Sequence, residues 1–185
     1  MSDEDREARL LAATADGDER AFEELVRLVG PDVARFARNY HHTRGDAEDL
    51  EQEVWIRVWQ KAGTFRRDSS VRTWLYRIVY HAAVDDHRRR TRRPDVVGNV
   101  PESWPSPGPS LEDGAAERSR LRWGLRLLSY DHRAAVLLAD LEGMPYHRIA
   151  QVCGTTEVAA RNRVSRGRRQ LATLLMNPPD ERRAS

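Results

Sequence analysis

Apolar residues recur at helical steps along most of this chain, and no stretch alternates with the period of a strand. Phe22, Leu25, Val26 and Val29 open the series, with Asp16 as the expected cap and Glu19 at capping-box spacing. Pro31 restarts the pattern through Val33, Phe36, Ala37 and Tyr40, so two successive helices or one kinked helix would fit. Residues 41–45 read as a connection. Asp46 then caps a helix to Ala62, with Ala47, Leu50, Val54 and Val58 as its buried stripe and Gly63 as its stop. Ser69 or Ser70 starts a long helix to about Arg90, whose core side carries Val71, Trp74, Leu75, Ile78, Val79 and Ala82.

Pro94 stops that helix, and Pro101, Pro105, Pro107 and Pro109 follow with Gly98 and Gly108. Such a stretch is an extended linker. It divides the chain into residues 1–93, a linker at 94–110, a second domain at 111–177 and a polar tail at 178–185. Trp104 inside the linker is unusual. Ser110, with Asp113 three residues on, caps a helix striped by Leu121, Leu125 and Leu128. Asp131 starts the next helix, which runs through Ala135, Leu138 and Ala139 to Gly143. The pattern predicts an all-α protein of two small helical domains.

The second domain ends on a distinctive pair. Met144–Gly154 reads as a short helix with Pro145 in its first turn, followed by a turn at Gly154-Thr155. Ala160, Val164, Gly167 and Leu171 then form a buried stripe, with Arg161, Asn162, Ser165, Arg166 and Arg169 off it. Helix, glycine turn and basic helix is the order of a helix-turn-helix, whose second helix enters a DNA major groove. An amphipathic terminal helix with a solvated arginine face fits the same residues.

Charge separates these readings. The chain has 185 residues and a formal net charge of +2. Residues 1–93 are balanced at 18 basic and 18 acidic, 94–117 hold 5 acidic and no basic residue, and 118–185 hold 13 basic against 6 acidic. A basic C-terminal third points to a polyanion partner. Lys61 is the one lysine among 31 basic residues, a bias that genome base composition explains as well as phosphate recognition does.

Two further faces carry candidate chemistry. Glu48, Asp49, Glu51, Gln52 and Glu53 crowd one side of the Asp46 helix. This is either a solvated acidic first turn favoured by the helix dipole or a docking face for a basic partner. Thr73, Tyr76, Arg77, Tyr80, His81, Val84 and Arg88 line a second side of the next helix. Rings among cations suit single-stranded nucleic acid, because bases stack on the rings while arginines follow the backbone. With Arg89, Arg90, Arg92 and Arg93 nearby, that face reads as nucleic-acid binding.

Catalysis is not indicated. His41, His42, His81, His87, His132 and His147 show no metal-ligand spacing, and no glycine-rich phosphate loop occurs. Neither a cofactor nor a metal is expected. No apolar run is long enough to span a membrane, and the acidic N-terminus is no signal peptide. The one cysteine, Cys153, fits a small buried position in the helix-turn-helix, and a cytoplasmic location is the default.

The segment Asp46-Ala-Glu-Asp-Leu-Glu-Gln-Glu-Val-Trp55, then Thr73-Trp-Leu-Tyr-Arg-Ile78, then Asp85 before an arginine cluster, resembles region 2 of the extracytoplasmic-function (ECF) sigma factors of bacterial RNA polymerase. The segment Leu141-Glu-Gly-Met-Pro-Tyr-His-Arg-Ile-Ala150, with Arg161-Asn-Arg163, resembles their region 4. The resemblance covers roughly residues 18–93 and 118–175.

It implies two partners, core RNA polymerase (its β′ clamp and β flap) and promoter DNA, and an anti-sigma factor that covers both domains. Asp46, Glu48, Asp49, Gln52 and Glu53 would dock on the β′ clamp. Phe65, Arg66, Arg67, Trp74, Tyr76, Arg77, Tyr80, His81 and Arg88 would hold the melted non-template strand of the −10 element, with one base flipped into a pocket. Thr156, Arg161, Asn162, Arg163, Ser165, Arg166 and Arg169 would read the −35 element as duplex. The linker would thread toward the RNA exit path.

Three positions depart from the family pattern. His81 stands where asparagine is usual and borders the −10 strand. Val158-Ala-Ala160 replaces Gly-Thr-Val, which removes a hydroxyl at Ala159. Ala139 stands where some members carry a basic residue. A stand-alone helix-turn-helix regulator with an N-terminal partner-binding domain is the alternative reading, and a helical scaffold is a third.

Overall fold

The computed structural model describes residues 2–41, 43–91 and 115–177, with residues 90, 91, 115 and 116 as backbone only. Every regular element among them is helical. The first, α1 (Asp3–Ala15), is one that the apolar spacing does not predict. Its signal is polar: Ser2 Oγ accepts from Asp5 N, and the Asp5 carboxylate accepts from Ser2 N, a reciprocal capping box. Asp16 therefore closes α1, its N–H donating to Ala12 O at 3.2 Å. Gly17, at φ +88°, turns the chain. Asp18 then caps α2 (Glu19–Tyr40), accepting from Arg20 N and Ala21 N.

Pro31 lies inside α2, and the helix runs on past it, which decides between the two arrangements left open above. Thr43, not Asp46, caps α3 (Arg44–Lys61), with Asp46 N donating to Thr43 Oγ1 at 3.1 Å. A 3-10 turn, Ala62–Thr64, ends it. Ser70 opens α4 (Val71–Thr91), accepting from Thr73 N at 3.2 Å. Leu25, Val29, Val33, Phe36, Val54, Val58, Leu75 and Val79 are all buried where these helices meet.

The C-terminal half begins with α5 (Ala115–Leu127). Leu121 falls on its exposed side, and Trp123 is buried with Leu125 and Leu128 instead. Ser129, two residues before the expected Asp131, caps α6 (Tyr130–Val136). One π-helical turn, Leu137–Leu141, leads to Gly143 at φ +62°. The helix-turn-helix is α7 (Tyr146–Cys153) and α8 (Glu157–Met176), joined at Gly154 in the left-handed region. The proline-rich stretch, Trp104, Arg92, Arg93, the Ser110 cap, His42, the Arg90 side chain and the tail lie outside the described residues.

The two halves pack together, with α4 against α7, and their buried apolar side chains form one contiguous cluster. Arg133 stands at the junction, 1% exposed. It donates to the carbonyls of Leu125 (2.7 Å), Leu128 (3.2 Å) and Arg126 at the end of α5, and of Tyr40 at the end of α2. The rings of Tyr40 and Tyr130 lie 5.5 and 5.1 Å from its guanidinium carbon. A buried cation is costly unless its donors are satisfied. Here carbonyls at two helix C-termini, each carrying partial negative charge, supply that compensation.

Candidate nucleic-acid interface

The ring-and-arginine face expected on α4 divides in two. His81 and Arg88 are exposed and Arg77 is half-buried, and Arg77 and His81 lie beside the loop that follows α3. Tyr76 does not join them: it is 2% exposed and meets Phe36 edge-on at 5.9 Å. Tyr80 is also covered, by the C-terminal half, and its hydroxyl donates to Asp131 at 2.8 Å. Helical geometry explains the division. Positions 77, 81 and 88 share one side, while 76 and 80 lie about 100° behind it. Thr73, expected on the same face, is fully buried.

The outward side borders a cleft of about 550 Å³ whose walls include Lys61, Arg66, Trp74, Arg77, His81 and Asp85. Trp74 is largely buried and packs against Phe65, ring centroids 5.9 Å apart at 65°. Arg66 and Arg67 are exposed, and Arg67 adopts φ +59°, a left-handed conformation that costs a non-glycine residue about 1–2 kcal/mol. Burial holds the His81 imidazole below its ordinary value; Asp85 opposes this, and Lys61, Arg77 and Arg57 reinforce it. A neutral imidazole offers the cleft both a donor and an acceptor.

The acidic face of α3 is thinner than the sequence suggests. Glu53 is engaged by Arg57 at 2.7 Å, and the same guanidinium reaches Asp85 of α4 at 2.9 Å. Glu48 pairs with Arg44 at 2.7 Å, and Asp46 is half-buried at the cap. Asp49 and Gln52 are exposed on one side with Ile56, an apolar side chain 53% open to solvent.

On α8, Thr156 caps the helix by accepting from Ala159 N at 3.2 Å. Ala160, Val164 and Gly167 are buried, as the spacing requires. Arg161, Asn162, Ser165, Arg166 and Arg169 are exposed together on the opposite side. The Arg161 guanidinium lies 5.4 Å from the Tyr146 ring centroid and 3.3 Å from Glu157. Arg163 differs from its neighbours. It turns toward α6, is 27% exposed, and stands 3.6 Å from Asp131. Spacing singles out neither Arg57 nor Arg133, which join elements here, and marks Asp131 only as a helix start. An arginine inside the apolar run Arg133-Ala-Ala-Val-Leu-Leu138 was the available signal for Arg133.

Residues 25–93 match the family model of sigma-70 region 2, and residues 124–171 match that of sigma-70 region 4. The chain belongs to the sigma-70 family. Among curated relatives it is similar to the ECF RNA polymerase sigma factor SigM of Mycobacterium tuberculosis, 33% identical over 91% of this chain and 84% of SigM. Among solved structures it is similar to CnrH in complex with the cytosolic domain of CnrY (TM-score 0.68, 26% identity, 92% of this chain and 97% of that one). It is equally close to the sigma factor RpoE of Bartonella quintana in complex with the anti-sigma factor NepR (TM-score 0.68, 28% identity, 86% and 98%). This ECF sigma factor thus matches its relatives across both halves, which does not favour a stand-alone helix-turn-helix regulator. Sigma factors are transcription initiation factors rather than enzymes. Among the described residues no helix is long and apolar enough to cross a membrane.

Proposed function

We propose that this sigma factor reads its promoter through two differently built surfaces and docks on core RNA polymerase through a third. Residues 1–93 form the polymerase- and −10-binding domain, 111–177 the −35-binding domain, and 94–110 the linker between them. Single-stranded −10 DNA runs along Arg77, His81 and Arg88, and one unstacked base enters the cleft walled by Trp74, Arg66 and Lys61. Phe65 braces Trp74 from behind, and Arg67 meets the backbone. His81, neutral at pH 7, hydrogen-bonds the strand where relatives use asparagine. Duplex −35 DNA is read by Arg161, Asn162, Ser165 and Arg166, with Thr156 and Arg169 on phosphates. Asp49 and Gln52, flanked by Ile56, carry the contact with the β′ clamp, and Asp46, Glu48 and Glu53 shape the helix that presents them.

The observation that carries this reading is the sorting of α8: five polar or basic side chains face outward together while the apolar stripe is sealed beneath. The protein works in the cytoplasm, performs no catalytic step of its own, and pairs with an anti-sigma factor, as RpoE pairs with NepR. Run-off transcription with purified core enzyme on genomic fragments tests it. Discrete transcripts that need this chain are expected, and their absence with active core enzyme overturns the reading.

A further inference from the structure

Tyr146 opens α7 and is half-buried, packed against the apolar core. Two arginines of α8 meet it. The Arg161 guanidinium carbon lies over its ring, 5.4 Å from the centroid, inside the range at which a ring face attracts a cation. One turn before Arg161, Glu157 Oε1 accepts from its Nη2 at 3.3 Å. Two turns after it, Arg168 is clamped by Asp140, its Nε donating to the two carboxylate oxygens at 3.2 and 3.1 Å. Asp140 chiefly, and the Tyr146 phenol more weakly, raise the Arg168 guanidinium above its ordinary value. Asp140, Arg168 and Tyr146 thus form a chain of contacts that ends on Arg161.

Arg161 stands early in α8, in the part of a recognition helix whose side chains contact base edges. A solvated arginine samples many rotamers, and fixing it on a base costs that freedom. A guanidinium already laid on a ring and tethered by Glu157 has less freedom left to lose. Of its five N–H donors the carboxylate engages one, so the rest of the fork remains for a base edge. Among the described residues Arg166 and Arg169, exposed on the same side, have neither a ring contact nor an ion pair. The outward side of α8 therefore holds one restrained guanidinium beside two unrestrained ones.

We propose that Tyr146 is a positioning residue for base recognition: its ring holds the Arg161 guanidinium in the orientation that reads one base pair of the −35 element. The ring raises selectivity at that base pair without touching the base. Arg168 and Asp140 keep the ring in place from the far side. The proposal rests on the reading of α8 as the −35 helix. It differs in its signature from a phosphate contact by the Tyr146 hydroxyl, which would strengthen every sequence alike.

The test uses the full chain bound to core polymerase, and as probe a promoter recovered by run-off transcription with its −35 element randomised. Sequencing of the retained DNA gives the base preference at each position. Tyr146→Leu, which keeps apolar bulk and removes the π face, is expected to lower the preference at the base pair that Arg161→Ala levels. The expected drop is about two- to fivefold, the range of a cation–π contact at an exposed site, with the other positions unchanged. Tyr146→Phe keeps the ring and is expected to keep the wild-type preference. Added to Arg161→Ala, Tyr146→Leu is expected to change no preference further. The proposal is overturned if Tyr146→Leu weakens all sequences equally, relaxes a different base pair, or leaves every preference intact while Arg161→Ala levels one. It is also overturned if Tyr146→Phe relaxes the base pair as much as Tyr146→Leu does. If Arg161→Ala levels nothing, the reading of α8 itself fails and the proposal falls with it. Should Tyr146→Leu lower helicity, Tyr146→Met, a flexible helix former without a π face, takes its place with the same expectation.

Discussion

Gly167 lies where α8 crosses α6, and a Cβ placed on it would come within 2.6 Å of Val136 Cγ2 and 3.2 Å of the His132 carbonyl oxygen. A backbone atom and a stiff β-branched side chain cannot both yield. Gly167→Ala is expected to destabilise the protein by about 1–3 kcal/mol through overpacking. Gly124→Ala, whose Cβ would meet the flexible end of Leu171 at 2.7 Å, should cost less. Thermal melts of the two variants check the order, and equal losses would count against this account of the crossing.

Arg133→Lys is expected to behave as a severe substitution. One ammonium cannot reach the carbonyls of Leu125, Arg126, Leu128 and Tyr40 together, as the planar guanidinium does. With hydrogen bonds to charged groups contributing about 1.5–3 kcal/mol each, a loss of roughly 3 kcal/mol follows even after strong non-additivity. Chemical denaturation measures it. A melt like wild type would mean that those carbonyls find water readily.

Acid should weaken the fold before the carboxylates titrate. Burial holds His81 and His87 below the ordinary imidazole value of 6.5, so the unfolded chain takes up these protons first as pH falls. Stability is then flat well above 6.5 and declines below it. Glu7 acts with the opposite sign. Burial, outweighing Arg72, raises its carboxyl above 4.5, so its contribution is lost as pH rises through that range. Melts between about pH 7.5 and 5.5 should show the decline, and replacing both histidines by glutamine should flatten it. A slope that persists in that variant assigns the effect elsewhere.

Arg161→Ala should weaken −35 duplex binding by roughly 1–3 kcal/mol, since its side chain is 62% exposed on the outward side of α8 and its guanidinium is held over Tyr146. Arg163→Ala should weaken it less, because that side chain is turned toward Asp131. Binding of −35 duplex by the polymerase-bound protein measures both, and the reverse order would show that the helix approaches DNA on another side.

Asp49→Ala together with Gln52→Ala should reduce capture of core polymerase without changing the melt, because both side chains are exposed. Glu53→Ala should lower the melting temperature as well, since it holds Arg57. Undiminished capture by the first variant would remove the docking face from α3.

The helices and the helix-turn-helix were legible because one apolar stripe per helix repeats at helical spacing, as at Ala160, Val164 and Gly167. Caps were less so. Asp16, Asp46 and Asp131 each lie within three residues of the true cap, and any short polar side chain there looks eligible. The α1 helix escaped because its signal is the Ser2–Asp5 pair rather than a stripe. On α4 the spacing placed Tyr76 and Tyr80 with Arg77 and His81. Helical period alone cannot say which flank of a two-sided helix a second domain will cover. Nor does periodicity reveal a charge such as Arg133 that serves carbonyls far apart in sequence.

Arg57 rivets two helices with one side chain, holding Glu53 on α3 and Asp85 on α4. On the reading proposed above, this contact ties the helix offered to the polymerase to the helix laid along melted DNA. Whatever grips the first also aims the second, and a chimaera that borrows either helix from a relative would inherit its alignment only by borrowing both.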